Sequence, residues 1–99
     1  MTVRTIVHTF GMEFDWDIGN RYKCRKHGLT LEQIEYAMRT WARVAPDPVH
    51  SLNEQRFIAI SRTPEGRPVF IAFCWRNGRC RPISARYMHS REAAHHDFD

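Results

Sequence analysis

The hydrophobic patterning predicts an α+β domain, with helices first and an antiparallel sheet after them, and three observations carry this. Before Pro46 the apolar residues recur at helical spacing; after Glu54 they alternate with the period of two that marks strands. The pair Asn77-Gly78 then stands between two alternating runs, and both residues tolerate the positive φ that a tight hairpin needs. The order that follows is β-α-α-β-β-β-α: a short N-terminal strand, two helices on one sheet face, a three-stranded antiparallel meander and a C-terminal helix.

Residues 2–10 alternate weakly through Val3, Ile6, Val7 and Phe10, a pattern open to an edge strand or an untethered arm. Glu13 to Trp16 place Phe14 and Trp16 on one face of an extended segment and Glu13, Asp15 and Asp17 on the other, as in a half-buried strand. Asp17 or Asn20 can cap the helix that follows, and Gly28 can take the left-handed conformation that ends it. Thr30 with Gln33 three residues on is a capping box for a second helix, whose core stripe is Leu31, Ile34, Ala37, Met38 and Trp41. Pro46 and Pro48 end it, leaving 45–53 as a loop.

The strands begin at Glu54 and are joined through Thr63-Pro64-Glu65-Gly66 and Asn77-Gly78. With a four-residue first turn, Arg56, Ile58, Ile60, Val69, Ile71, Phe73, Trp75, Ser84 and Arg86 share one face, while Phe57, Ala59, Phe70, Ala72, Cys74, Arg81, Ile83, Ala85 and Tyr87 share the other. A one-residue slip would swap faces, but a slip common to the strands leaves Arg56 and Arg86 on neighbouring surface. Ser90 caps a short last helix.

Ninety-nine residues at 42% hydrophobic and 12% aromatic content make one domain, 1–99, with a modest core. Lys and Arg exceed Asp and Glu by four, mostly as arginine, which points to nucleic acid or an acidic protein as partner. Cys24, Cys74 and Cys80 form no CxxC pair and no metal-ligand spacing, so they read as reduced, part-buried thiols of a cytoplasmic protein without a disulfide. MTVRTIVHTF has no signal-peptide apolar region, and no run of about 18 apolar residues calls for a membrane. His89, His95 and His96 lack an acidic or Cys partner at ligand spacing, so neither metal nor cofactor is expected. Trp41 belongs to the core by its stripe, whereas Trp16 and Trp75 are free to stack on bases.

The densest feature is FDWDIGNRYKCRKH, residues 14–27, in which Arg21, Lys23, Arg25 and Lys26 precede His27. A helix this basic is either a solvated face or a phosphate-binding surface. Taken with Trp16-Asp17, Lys26-His27-Gly28, Glu54 and Arg56, and Pro82-Ile83-Ser84-Ala85-Arg86, it resembles the BrnT family of toxins from type II toxin–antitoxin modules, over residues 12–95. Residues 1–11 lie outside the resemblance and read as an extension. The resemblance implies a RelE-like fold and a ribonuclease that arrests translation. It also implies neutralisation by a BrnA antitoxin whose ribbon-helix-helix part binds the operator.

Cleavage of RNA through its own 2′-hydroxyl needs a base, cations for the phosphorane and an acid for the 5′-oxygen, with no metal. Arg56 and Arg86 suit the cationic role, held over one phosphate; His27 or Glu54 suits the base, and Tyr87 the acid. Lys23, Lys26 and Arg81 would add RNA affinity. Each has a structural alternative: Glu54 as ion-pair partner of Arg86 or Arg56, Tyr87 as a core aromatic, His27 at a helix C-terminus. The competing reading of the whole chain is a non-catalytic basic module that binds RNA or protein. For the antitoxin, the expected dock is the sheet face bearing Arg56 and Arg86, met by carboxylates.

Overall fold

A computed structural model describes residues 5–7, 11–40 and 42–96, the first three by their backbone alone. The chain forms β1 (Thr5–Val7), α1 (Ile18–Arg25), α2 (Leu31–Arg39), β2 (Ala42–Pro46), a 3₁₀ turn (Pro48–His50), β3 (Phe57–Arg62), β4 (Pro68–Arg76), β5 (Arg79–Tyr87) and α3 (Ser90–His95). The sheet has five strands in the order β1-β2-β3-β4-β5, each antiparallel to its neighbour. The α+β class stands, with two more strands than the expected three-stranded meander. Residues 5–7 are the edge strand rather than the arm.

Two elements differ from expectation for local reasons. Ala42–Pro46 is a strand and not the tail of α2 or a loop, because pairing with Pro46↔Phe57 through Arg43↔Ile60 outweighs the helical spacing of the residues before it. Proline's exclusion of helix from the residue before it already favours extension at Ala45 and Asp47. The end of α2 is satisfied by Ser61, whose hydroxyl lies 2.8 Å from the Ala37 carbonyl and 3.1 Å from that of Thr40. Glu13–Trp16, in turn, is no full strand. It makes one parallel bridge, Phe14↔Cys80, through Asp15 N–H to the Cys80 carbonyl and Cys80 N–H to the Glu13 carbonyl, each 2.9 Å.

The local signals hold. Thr30 and Gln33 form the capping box of α2, and Ile34, Ala37 and Met38 are buried on its stripe; Trp41 lies outside the described residues. Gly28 has φ +96° after α1, and Asn77 and Gly78 both have positive φ. The last helix begins one residue earlier than expected, with His89 at the N-cap and no side-chain capping bond.

The register is shifted twice. The first hairpin pairs Arg62 with Pro68, so its loop is Thr63–Arg67, five residues closed by Thr63 N–H to the Arg67 carbonyl at 2.9 Å. The added residue places Val69, Ile71 and Phe73 opposite Ser61, Ala59 and Phe57, not on the face of Ile58 and Ile60. A bulge then falls between Ala72↔Ser84 and Phe73↔Pro82, leaving Ile83 as the extra residue beside a proline that has no N–H to give the ladder. The two shifts cancel across β4, and Arg86 returns to the side of Ile58 and Ile60.

Both early helices cover one face, where Cys24, Leu29, Ile34, Ala37 and Met38 pack on Ala59, Val69, Ile71, Phe73, Cys80 and Ala85. On the opposite face Ala93 of α3 packs with Ile58, Ile60, Phe70, Ala72 and Met88. The three thiols are buried rather than part-buried, and all are free. Burial pushes Cys24 and Cys80 up to about 12, so both stay protonated.

The Arg86 guanidinium holds Glu92 of α3 with two hydrogen bonds, 2.7 and 2.8 Å, and lies 4.5 Å from the Phe70 ring centre. The bond from Arg86 keeps the Glu92 carboxyl below the usual glutamate range, against an opposing desolvation. A lowered folded pKa stabilises above the unfolded value of 4.5 and is lost as pH falls through the folded value. Arg86→Ala is therefore expected to cost about 1 kcal/mol near neutral pH, a half-exposed pair being discounted for solvent. The deficit should shrink in melts below pH 4.5, and equal destabilisation at acid and neutral pH would remove the pair as its cause.

Asn20, only 4% exposed, carries the larger load. Its amide group donates to the Asp15 and Pro82 carbonyls, both at 2.9 Å, and its carbonyl oxygen accepts Asp17 N–H at 2.7 Å. Asn20→Ala should cost about 2 kcal/mol, or roughly 10 °C in Tm for a domain this size, by stranding those groups. A loss below about 0.5 kcal/mol in denaturant titration would show that water replaces the carboxamide.

Candidate active site

On the sheet face opposite the early core, at the hairpin end, a cleft of about 220 Å³ is lined by Gly19, Asn20 and Lys23 of α1, Glu54 and Arg56, Cys74 and Arg76 of β4, and Arg81 and Ile83 of β5. The bulge brings Arg81 opposite Cys74, and Asn20 ties the first turn of α1 to Pro82. Glu54 and Arg56 do not open β3, which starts at Phe57. They lie in the segment before it, fixed by Arg56 N–H on Ser51 Oγ and by Asp47 N–H on the Arg56 carbonyl, each 2.8 Å.

Two of the four cations are neutralised by the frame. Arg76 grips Glu54 with two bonds of 3.0 Å. Arg81 reaches Asp17 at 2.8 Å and Asp15 at 3.5 Å. Lys23 and Arg56 form no ion pair or side-chain hydrogen bond among the described residues. Four cations thus face three carboxylates, and the two without a partner are a point charge on a flexible stem and a planar fork. The Arg76 hydrogen bond holds the Glu54 carboxyl below its usual value; burial opposes this, and bonding from the Cys74 thiol and the charges of Arg76 and Arg56 assist it. Burial and the Glu54 charge push Cys74 the other way, so the thiol on the cleft floor stays protonated.

Of the residues singled out in the sequence, the structure brings Lys23, Glu54, Arg56 and Arg81 together and separates the rest. Arg86 pairs with Phe70, itself opposite Ile60, four positions beyond Arg56 and two strands away. At roughly 3.3 Å per residue and 4.8 Å per strand the two Cα atoms stand about 16 Å apart. One phosphate cannot take both guanidiniums, and Glu54 pairs with Arg76 and not with either of them. Lys26 and His27 are exposed at the C-terminal end of α1, beside Gly28, where an added Cβ would sit 4.0 Å from the Tyr87 ring. Tyr87 packs against the helix-side core under the Arg67 guanidinium, 3.7 Å from its ring centre.

Trp16 is half-buried and donates to Glu35 at 2.8 Å, which fixes it to α2; Trp75 is 42% exposed, edge-on to Phe73. Arg76 is the cleft residue that sequence reading missed. Its position directly before Asn77-Gly78, antiparallel to the segment carrying Glu54, was the available signal. No group of three or more His, Cys, Asp or Glu able to hold a metal ion occurs among the described residues. Nor is any of their helices long and apolar enough to cross a membrane.

A search of the curated proteins finds no match. The family model described as "Ribonuclease toxin, BrnT, of type II toxin-antitoxin system" matches residues 16–92, a span that holds α1 through the first residues of α3 and every residue of the cleft. The α+β architecture agrees with the RelE-like fold that the sequence motifs implied. The chain belongs to the BrnT ribonuclease toxins of type II toxin–antitoxin systems, whose members act on RNA and are paired with a protein antitoxin.

Proposed function

We propose that the chain is a metal-independent endoribonuclease that arrests translation in the cytoplasm, and that the cleft between α1 and the β4–β5 hairpin is where it cleaves RNA. The observation that carries this is the pair of unpartnered cations, Lys23 and Arg56, in a cleft whose other arginines are already matched. A phosphodiester supplies the missing anion. In this reading Arg56 offers its fork to the non-bridging oxygens and Lys23 adds charge as the phosphorane gains it. Glu54 takes the 2′-hydroxyl proton, since Arg76 occupies one lone pair on each carboxylate oxygen and leaves others free. The 2′-oxygen bonds to phosphorus, the bond to the 5′-oxygen breaks, and the products are a 2′,3′-cyclic phosphate and a 5′-hydroxyl. Arg81, in the same cleft, adds RNA affinity. Lys26, His27 and Tyr87 lie too far along α1 for this step and fit contact with flanking nucleotides. The partner antitoxin is proposed to be BrnA-like, with a ribbon-helix-helix part that holds operator DNA.

Purified protein incubated with RNA and EDTA should give fragments ending in 2′,3′-cyclic phosphate. Arg56→Ala should slow cleavage on the order of a hundredfold, the scale of one transition-state donor, with Tm little changed. Tight RNA binding without any fragments would instead make the chain a non-catalytic basic module.

The lowered Glu54 pKa predicts a pH profile. A base that stays ionised to lower pH moves the acid limb of kcat/KM below the usual 4.5. Arg76→Gln removes the main cause and should shift that limb upward, toward 4.5. An acid limb unmoved by Arg76→Gln would take the base role away from Glu54.

A further inference from the structure

The cleft opens directly into a second, shallower groove of about 430 Å³ that shares Glu54, Arg56 and Arg76 and is walled by Val49 and Leu52. These two side chains are 75% and 89% exposed. Across the cleft, Ile18 and Tyr22 precede the lining residues Gly19 and Lys23 on α1 and are 89% and 68% exposed. Four of the six large hydrophobic residues exposed among the described residues thus border one cationic cleft, from two elements far apart in sequence.

Nothing in the domain's packing uses them, and RNA does not explain the aliphatic three. Bases stack on aromatic faces and phosphates seek cations, but Ile18, Val49 and Leu52 offer neither. Aliphatic walls on both sides of unpaired cations fit a protein segment with a carboxylate between apolar side chains, the central apolar contact giving affinity and the charge giving register. The face bearing Arg86, expected to receive such a partner, is unsuited to it. There α3 already covers Ile58, Ile60, Phe70 and Ala72, and Arg86 is matched by Glu92.

We infer that the antitoxin docks across this cleft by an acidic, apolar segment, setting Val49 and Leu52 on one rim and Ile18 and Tyr22 on the other around a carboxylate held by Lys23 and Arg56. Neutralisation is then direct occlusion, because the carboxylate takes the cations that the RNA phosphate needs. The docking rests on the rims and on charge; the occlusion also rests on the proposed RNA site.

The test uses the full chain and its purified cognate antitoxin in titration calorimetry, with RNA cleavage by the free toxin measured alongside. The pair Val49→Ser and Leu52→Ser is expected to weaken antitoxin binding about tenfold or more, given the apolar area removed, while leaving cleavage within about twofold. Ile18→Ser with Tyr22→Ser probes the opposite rim and guards against local collapse of the 48–53 segment. Binding that weakens less than tenfold in both double variants overturns the proposal. RNA cleaved at the free rate by toxin saturated with antitoxin overturns the occlusion. Should the chain cleave no RNA at all, the binding arm still decides the docking, so the two failures are distinct.

Discussion

The carboxamide of Asn20 is the point on which the cleft depends. It donates to the carbonyls of Asp15 and Pro82, accepts from Asp17 N–H, and its own N–H meets Asp17 Oδ1 at 3.1 Å, so one buried side chain joins the entering segment, the first turn of α1 and the bulged strand. Neither backbone carbonyl could be left in that position without a donor, since a stranded buried acceptor costs about 1–3 kcal/mol. Asparagine alone combines two donors with an acceptor on so short a stem. Lys23 is three residues further along the same helix, and its place at the cleft is therefore set by a polar contact on the opposite side of the chain from its charge.

Pro82 completes the same device. Within a strand it cannot donate to the ladder, and here it sits where the register breaks, its carbonyl turned to Asn20. The extra residue, Ile83, lets Arg81 and Ile83 both line the cleft although they are two apart in a strand that also feeds the core through Cys80 and Ala85. A regular strand would have kept strict alternation from Arg79 to Tyr87, and Arg86 would have faced the helices.

What could be read from the sequence was what local chemistry decides. The capping box at Thr30, the left-handed Gly28 and the Asn77-Gly78 turn need no knowledge of the fold, and each formed where its residues placed it. The register needed more. One added loop residue at Arg67 and one bulge at Ile83 each reverse a face, and neither leaves a mark on the hydrophobic pattern of β4, whose residues are apolar on both sides. Arg56 and Arg86 came out on one side because the two shifts cancel. Their separation along the strand, and the pairing of Arg86 with Glu92 only six residues away, were hidden by reading side of sheet as proximity. Strand β2 was hidden because Ala42, Val44 and Ala45 carry a pattern too short to outvote the helix before it.

The cleft's own charges divide into a frame and a site. Arg76 with Glu54 and Arg81 with Asp15 and Asp17 are matched at short range, so they hold geometry and add little net potential. Lys23 and Arg56 carry the remainder, with solvent access and no competing carboxylate at hydrogen-bond distance. An anion entering there displaces water and breaks no internal salt bridge, which keeps the cost of reorganisation low at the moment charge grows on phosphorus. The same arrangement makes the site indifferent to the source of the anion. Charge alone cannot tell a phosphodiester from a carboxylate, and the only features on the surface able to make that distinction are the aliphatic side chains around it. Selectivity between substrate and neutralising partner is thus located in Val49, Leu52 and Ile18, residues that take no part in the chemistry of the cleft.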